Sequence, residues 1–136
     1  MKFVLSGVAG ERRRFVEAFE DFCRAHLVPD AARQAADLAL EEHLTNVLAY
    51  GFDPGVARHA SVQLDVVENC LHVEVADTGK PFNPLDTPPV DTSLPLDEKP
   101  VGGLGVHLMR QFMDELSYTR ADGRNILRMT KRFAAD

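Results

Sequence analysis

Residues 30–51 read DAARQAADLALEEHLTNVLAYG, and this stretch predicts the helix around which the rest of the chain is arranged. Asp30, after Pro29, is expected as the N-cap and Gly51 as the stop, so the helix should end at about Tyr50. At 100° per residue its apolar positions fall on one stripe, which should pack on a sheet. The stripe consists of Ala36, Leu40, Leu44 and Val47.

The other flank of this helix carries a carboxylate and an amide, Glu42 and Asn46, whose i and i+4 spacing makes their side chains project together. A carboxylate among apolar and small residues is costly unless something pairs with it, so the pair is a candidate functional site. The alternative is a half-exposed flank that meets only water. Glu41 and His43 are expected to be boundary residues, and no second His or Cys stands at metal-ligand spacing from His43. The apolar and small neighbours are Leu38, Thr45 and Ala49.

The segments around this helix divide into strands with alternating apolar residues and amphipathic helices. Five strands are expected, and the last four pair into two hairpins; they lie at Phe3–Leu5, 61–67, 71–75, 116–120 and 125–133. Two further helices are expected at 11–27 and 104–114. The order β-α-α-β-β-loop-α-β-β predicts an α+β two-layer sandwich, with a mixed, mostly antiparallel sheet and its helices on one face.

The composition is that of one acidic globular domain. The chain has 136 residues, 15 Lys+Arg and 21 Asp+Glu, with a formal net charge of −6, so we expect one domain over 1–136. This charge argues against nucleic acid or an anionic membrane as the main partner. No apolar run approaches the roughly 20 residues of a membrane span, and none resembles a signal peptide, so a cytoplasmic location is expected. Cys23 and Cys70 are expected as buried thiols rather than a disulfide.

A proline-rich segment interrupts the pattern. Residues 83–100 read NPLDTPPVDTSLPLDEKP and hold five of the eight prolines, so they form neither a helix nor a central strand. A loop of about 18 residues within a compact domain is typical of a lid or a binding loop, here approximately 83–101. The alternative is a surface excursion with no role.

Two glycine motifs flank this loop. Asp77 directly follows a buried strand, either as a turn former or as an acceptor for a ligand's exocyclic amine, and Gly79 would let the chain approach a flat ring. Across the loop, Gly102-Gly103-Leu104-Gly105 leads into a helix, where successive backbone N–H groups can bind phosphate. The alternative is a glycine-rich helix cap. A proline-rich loop instead of a preceding strand, and Leu108 in place of a third glycine, contradict a dinucleotide fingerprint.

Taken together, these segments resemble the motifs of one fold. Residues 42–46 (EHLTN) resemble an N-box, and 77–82 (DTGKPF) and 102–110 (GGLGVHLMR) resemble two glycine boxes. This set is similar to the nucleotide-binding fold of gyrase, heat-shock chaperones, histidine kinases and MutL, called the GHKL or Bergerat fold. Within it, the chain most resembles the anti-sigma-factor serine kinases of the RsbW and SpoIIAB type, over nearly its whole length.

The resemblance implies roles for individual residues. Glu42 would act as a base toward the substrate hydroxyl or orient it, and Asn46 would hold Mg²⁺ through the triphosphate. Lys99 would reach the γ-phosphate, or be a solvated lid lysine. Asn125 stands where related folds often place a Thr beneath the adenine. The implied nucleotide-binding set is Asn46, Asp77, Gly79, Phe82, Lys99, Gly102, Gly103, Leu104, Gly105, Val106, His107 and Asn125.

The implied function is ATP-dependent phosphorylation of a small anti-sigma-factor antagonist, by a homodimeric protein that also holds a sigma factor inactive. The main alternative is a regulator of the same fold that binds ATP or ADP but transfers nothing. A histidine-kinase half and a gyrase-type ATPase are less favoured, because the sequence shows neither a helix with a phosphoacceptor His nor a transducer domain.

Overall fold

Five antiparallel strands form one sheet in the computed structural model, which describes residues 1–86 and 109–134. The strands are β1 (Lys2–Leu5), β2 (Ala60–Val67), β3 (Cys70–Asp77), β4 (Glu115–Ala121) and β5 (Arg124–Arg132). Their order across the sheet is β1-β2-β3-β5-β4, and all four pairings are antiparallel. The predicted two-layer α+β fold is therefore confirmed, with a sheet that is antiparallel rather than mixed over the described residues.

Two long helices, α1 (Glu11–Ala25) and α2 (Asp30–Tyr50), pack on the sheet. The prediction that Asp30 is the N-cap of α2 is wrong: Pro29 occupies that position with φ −65° and ψ 154°, and no side chain caps the helix. The fixed φ of proline suits the extended conformation of an N-cap, so the first helical residue is Asp30, and the helix begins one residue earlier than expected. At the other end, the Gly51 N–H donates to Val47 O at 2.9 Å, which agrees with the predicted stop.

The predicted apolar stripe of α2 is buried, with Val47 as its most exposed member at 5%. His43 is only 3% exposed, so its prediction as a boundary residue is wrong. The buried face of α2 is wider than the stripe, because Ala39, one turn before His43, is also buried. Burial lowers the pKa of His43 to about 4, and its Nδ1 has no hydrogen-bond partner among the residues that the structure describes. The imidazole is therefore neutral at physiological pH.

Two tight hairpins set the register of the sheet. Glu68 and Asn69 connect β2 to β3, and Asp122 and Gly123 connect β4 to β5; all four have positive φ. Two-residue turns of this kind match the twist of antiparallel strands, and both predicted hairpins are confirmed. The pairing of β3 with β5 then places Asp77 directly opposite Asn125.

The face of the sheet away from the helices is polar. Cross-strand ion pairs join Arg128 to Glu74 at 3.1 Å and Arg132 to Glu115 at 3.3 Å. Over residues 1–86 and 109–134, the helices therefore lie on one face of the sheet, as predicted. Among the described helices, none combines the length and apolar character needed to cross a membrane.

The two cysteines are free thiols, as predicted, but the prediction that both are buried is wrong for Cys70. Cys23 of α1 is fully buried, and this burial raises its pKa to about 11. Cys70 begins β3 and is half-buried.

Candidate functional site

A cavity of about 400 Å³ opens between the C-terminal end of α2 and the adjacent ends of β3 and β5. Four residues predicted from the sequence as binding residues meet there: Asn46, Asp77, Phe82 and Asn125. The other lining residues are Val47, Tyr50, Gly51, Lys80 and Pro81. A cavity of this size, lined mainly by apolar groups with a few polar side chains, is typical of a small-molecule site.

Asp77 forms the buried floor of this cavity. It is the last residue of β3 and is 3% exposed. Its Oδ1 accepts hydrogen bonds from the Gly79 N–H at 2.9 Å and from Asn125 Nδ2 at 3.0 Å. No hydrogen bond from the described residues reaches Oδ2, so this oxygen is available to accept one from a ligand.

Asn125 makes four hydrogen bonds while lying 6% exposed on β5. Besides Asp77, its Nδ2 donates to Lys80 O at 2.8 Å. Its Oδ1 accepts from the Phe82 N–H at 3.1 Å and from the Tyr118 hydroxyl at 2.6 Å. Both amide hydrogens are thus donated to oxygens of the protein itself.

The turn after β3 is fixed to the end of α2. A Cβ on Gly79 would lie 2.5 Å from Gly51 O and 2.9 Å from Asp77 Oδ1, so only glycine fits there without a shift. The Lys80 N–H donates to the same Gly51 carbonyl at 2.8 Å, and Arg120 Nη1 donates to Gly79 O at 2.8 Å. Gly79 therefore approaches the end of α2 closely, and its predicted approach to a flat ring stays a prediction.

Three of these contacts were not predicted: those of Gly51, Tyr118 and Arg120. Gly51 was identified only as a helix stop, and its carbonyl turns out to hold the turn after β3. Tyr118 and Arg120 alternate along β4 on the side that faces the helices, paired with Leu127 and Asn125. The alternation of residues along β4 could have predicted the side on which they lie. Their hydrogen-bond partners, in contrast, follow only from the register between β4 and β5.

Glu42 and Asn46 lie one turn apart on α2, and both are half-buried. Asn46 lines the cavity, whereas Glu42 lies beyond its edge. Arg12 of α1 braces the same turn: its Nη2 lies 2.7 Å from Glu41 Oε1 and 3.3 Å from Thr45 Oγ1. Glu42 and Asn46 therefore project from a helix that packs on the sheet with one side and is contacted by Arg12 of α1 on another.

The remaining predicted residues lie outside the described part of the chain. Residues 87–108 contain Lys99, residues 102–107 of the second glycine box and most of the predicted lid. Before that stretch, Pro84–Asp86 form a short 3₁₀ turn; after it, residues 109–112 are helical. Arg110 Nη2 donates to Leu85 O, so the two ends of the stretch lie close together. The glycine-box roles stay predictions.

The oxygen atoms of Asn46 and Glu42 suit a magnesium ion that takes most of its coordinating atoms from phosphates and water. The described residues contain no group of three or more His, Cys, Asp and Glu side chains able to enclose a metal. An amide oxygen of Asn46, with Glu42 one turn away, fits a hard cation that keeps phosphates and water in most of its coordination shell.

A family model described as the histidine kinase-like ATPase domain matches residues 9–131. The serine/threonine-protein kinase BtrW of Bordetella bronchiseptica is 38% identical over 103 residues, which cover 73% of this chain and 70% of BtrW. The chain belongs to the RsbW-type kinases of this ATPase family. The serine-protein kinase RsbW of Bacillus anthracis is 34% identical over 98 residues, which cover 69% of this chain and 60% of that protein.

Solved structures share the fold of this RsbW-type chain. The RsbU and RsbW domains of a Mycobacterium tuberculosis protein match with a TM-score of 0.65 at 12% identity, over 97% of this chain and 31% of that one. The Acinetobacter baumannii histidine kinase AdeS matches with a TM-score of 0.53 at 13% identity, over 97% of this chain and 67% of that one. At these identities the likeness concerns the fold alone.

Proposed function

We propose that this protein is an ATP-dependent protein serine kinase and anti-sigma factor. In this role it would phosphorylate a small anti-sigma-factor antagonist and hold a sigma factor inactive. The observation that carries the proposal is the buried Asp77, which lines the same cavity as Asn46 and has one oxygen that accepts no hydrogen bond from the described residues. Membership of a family whose named relatives are serine kinases supports it.

The cavity suits the adenine of ATP. Asp77 Oδ2 would accept a hydrogen bond from the exocyclic amine, and a hydrogen bond to a charged group contributes about 1.5–3 kcal/mol. Val47 and Phe82 supply apolar surface for the faces of the ring. In this proposal, Asp77 contacts the edge of one flat base, and Val47 and Phe82 contact its faces.

The phosphates would extend from the base toward α2. Asn46 would hold Mg²⁺, which neutralises charge on the phosphates when it is bound. The serine hydroxyl oxygen of the antagonist attacks the γ-phosphorus, ADP leaves, and Glu42 accepts the hydroxyl proton. Lys99 and the backbone N–H groups of Leu104–His107 are proposed, on the resemblance alone, to contact the phosphates.

The partners follow from the same proposal. The antagonist and the sigma factor would compete for one protein, and phosphorylation of the antagonist would end its competition. We propose a single domain over 1–136 that acts as a cytoplasmic homodimer, without direct contact to nucleic acid. The net charge of −6 supports the last point.

A transfer assay tests the kinase proposal. The purified chain is incubated with Mg²⁺, γ-labelled ATP and small antagonist proteins of the source organism, and transfer to one serine is expected. Glu42→Gln should bind ATP normally but transfer at least about 100-fold more slowly, because it lacks the base. Glu41→Gln, one residue away and more exposed, should transfer at the wild-type rate.

Two results would contradict the proposal. Transfer by Glu42→Gln at the wild-type rate would exclude Glu42 as the base. Wild-type protein that binds ATP but phosphorylates no antagonist would instead be a nucleotide-gated binding regulator.

A further inference from the structure

We infer that Asn125 is a positioning residue for base selectivity: it orients the Asp77 carboxylate and ties it to the cavity wall at 80–82. The inference rests on the proposed binding of ATP and adds the part of the chain that makes the cavity prefer one purine. Asn125 acts through Asp77 and the wall rather than through its own contact with the base.

The geometry of the amide supports this role. Asn125 Nδ2 places its two hydrogens on Asp77 Oδ1 at 3.0 Å and on Lys80 O at 2.8 Å. Its Oδ1 accepts from the Phe82 N–H at 3.1 Å. One side chain thus joins the floor of the cavity to two successive points of its wall, across 48 and 43 residues of sequence.

The hydrogen bonds restrict how Asp77 can turn. Asn125 and the Gly79 N–H both hold Oδ1, which fixes the orientation of the carboxylate and leaves Oδ2 as the oxygen that we expect a base in the cavity to meet. A base with an amine at C6 donates to that oxygen. A base with a carbonyl at C6 places an acceptor against an acceptor, and a carboxylate held in one orientation cannot turn to admit a bridging water.

An asparagine is suited to this position because it offers two donors and an acceptor on one rigid plane. Alanine removes every contact. Serine keeps a single hydroxyl, which can donate to Asp77 but cannot also reach Lys80 O and the Phe82 N–H. Comparison of the two variants therefore separates the effect of the hydrogen bond to Asp77 from the effect of the hydrogen bonds to Lys80 and Phe82.

Titration calorimetry with Mg²⁺ and either ATP or inosine triphosphate, which carries a carbonyl at C6, tests the inference. Wild-type protein should prefer ATP. Asn125→Ala should lower ATP affinity about tenfold and inosine triphosphate affinity much less, so that the preference shrinks about tenfold. Asn125→Ser should lose affinity for both nucleotides but keep most of the preference, because its hydroxyl still holds Asp77.

Tyr118→Phe is the matched control. It removes one hydroxyl, which donates to Asn125 Oδ1 at 2.6 Å, and leaves both amide donors in place. Its nucleotide preference should stay within about twofold of wild type, because a single neutral hydrogen bond contributes little on average. Circular dichroism and thermal melting establish that each variant is folded; if Asn125→Ala is not, Asn125→Leu, which fills the volume of the amide but offers no donor to Asp77, should show the same loss of preference and decides in its place.

The outcomes separate this inference from the proposed function. An unchanged preference in Asn125→Ala, with both affinities lowered equally, overturns the inference and leaves a structural role. Equal loss of preference in Tyr118→Phe also overturns it. If wild-type protein prefers ATP but phosphorylates no antagonist, the kinase proposal fails and the inference is still decided by the Asn125 variants; if it binds neither nucleotide, both fail.

Discussion

The two sides of the cavity are held in place by different forces. On the sheet side, Asp77 is held by hydrogen bonds from Asn125 and from the turn that follows it. On the helix side, Glu42 and Asn46 project half-buried from α2, which is fixed by the packing of its opposite, buried face. Polar networks specify orientation, whereas apolar packing specifies position but leaves the polar side chains adjustable. Under the proposed function, the sheet side would thus be fixed in advance to receive a flat base, and the helix side would adapt to phosphates and metal.

The largest effect should follow from changing the floor. Asp77→Asn replaces one of the two carboxylate oxygens by an NH₂ group. Whichever way the new amide is turned, this donor faces another donor, either the exocyclic amine of the base or Nδ2 of Asn125. ATP affinity should fall at least about 100-fold, which corresponds to about 3 kcal/mol. Calorimetry measures it, and Asp65→Asn on the solvent face of β2 is the control. Wild-type affinity in Asp77→Asn would show that the floor does not recognise the base.

The turn that supports the floor should be nearly as sensitive. Gly79→Ala forces a Cβ to 2.5 Å from Gly51 O, so the turn must shift away from α2. We expect a loss of about 2 kcal/mol in unfolding free energy, together with weaker ATP binding. Gly123→Ala is the matched control, because its positive φ is strained but no atom lies within 4 Å of the added Cβ. Urea denaturation should show a smaller loss for Gly123→Ala and unchanged ATP affinity.

On the helix side, a substitution should change Mg²⁺-dependent ATP binding rather than the stability of the fold. Asn46→Ala removes the proposed amide ligand without disturbing the buried face of α2. The Mg²⁺-dependent gain in ATP affinity should fall by about tenfold, while the melting temperature stays near that of wild type. Titrations with Mg²⁺ and with EDTA measure that gain. An unaltered gain would remove Asn46 from the proposed metal site.

The smallest effect concerns how packing holds α2. The pKa of His43 is lowered to about 4 by burial, so the unfolded chain takes up its proton first as the pH falls below about 6.5. Stability should therefore decrease between pH 7 and pH 5.5, with a contribution from His43 of about 1 kcal/mol. His43→Leu should lose that contribution, whereas the exposed His72→Gln should keep it. Denaturation curves at the two pH values that show equal slopes for wild type and His43→Leu would contradict this assignment.

The elements of the fold could be predicted because their signals are local. Alternating residues around two short turns define both hairpins, and helical spacing defines both long helices. The exceptions have local causes as well. Pro29 takes the N-cap position because its φ is already suited to it, which displaces Asp30 into the first turn.

The candidate site could be predicted only in part. Local motifs single out Glu42, Asn46 and Asp77, but the contacts of Asn125 depend on which strand pairs with which and in what register. The burial of His43 likewise depends on the elements that cover α2. Neither property is contained in the spacing of nearby residues. The predictions for Lys99 and for the glycine box at 102–107 concern residues outside the described ranges.

The unequal burial of the two cysteines gives the protein a native labelling position. Alkylating reagents attack thiolates, and Cys23 is both enclosed and held protonated by its raised pKa. A maleimide dye added to the unmodified chain therefore attaches at Cys70. That residue lies at the opposite end of β3 from Asp77, about 23 Å away at the usual rise of a strand. A fluorophore there would mark the far end of β3 without occupying the cavity that Asp77 lines.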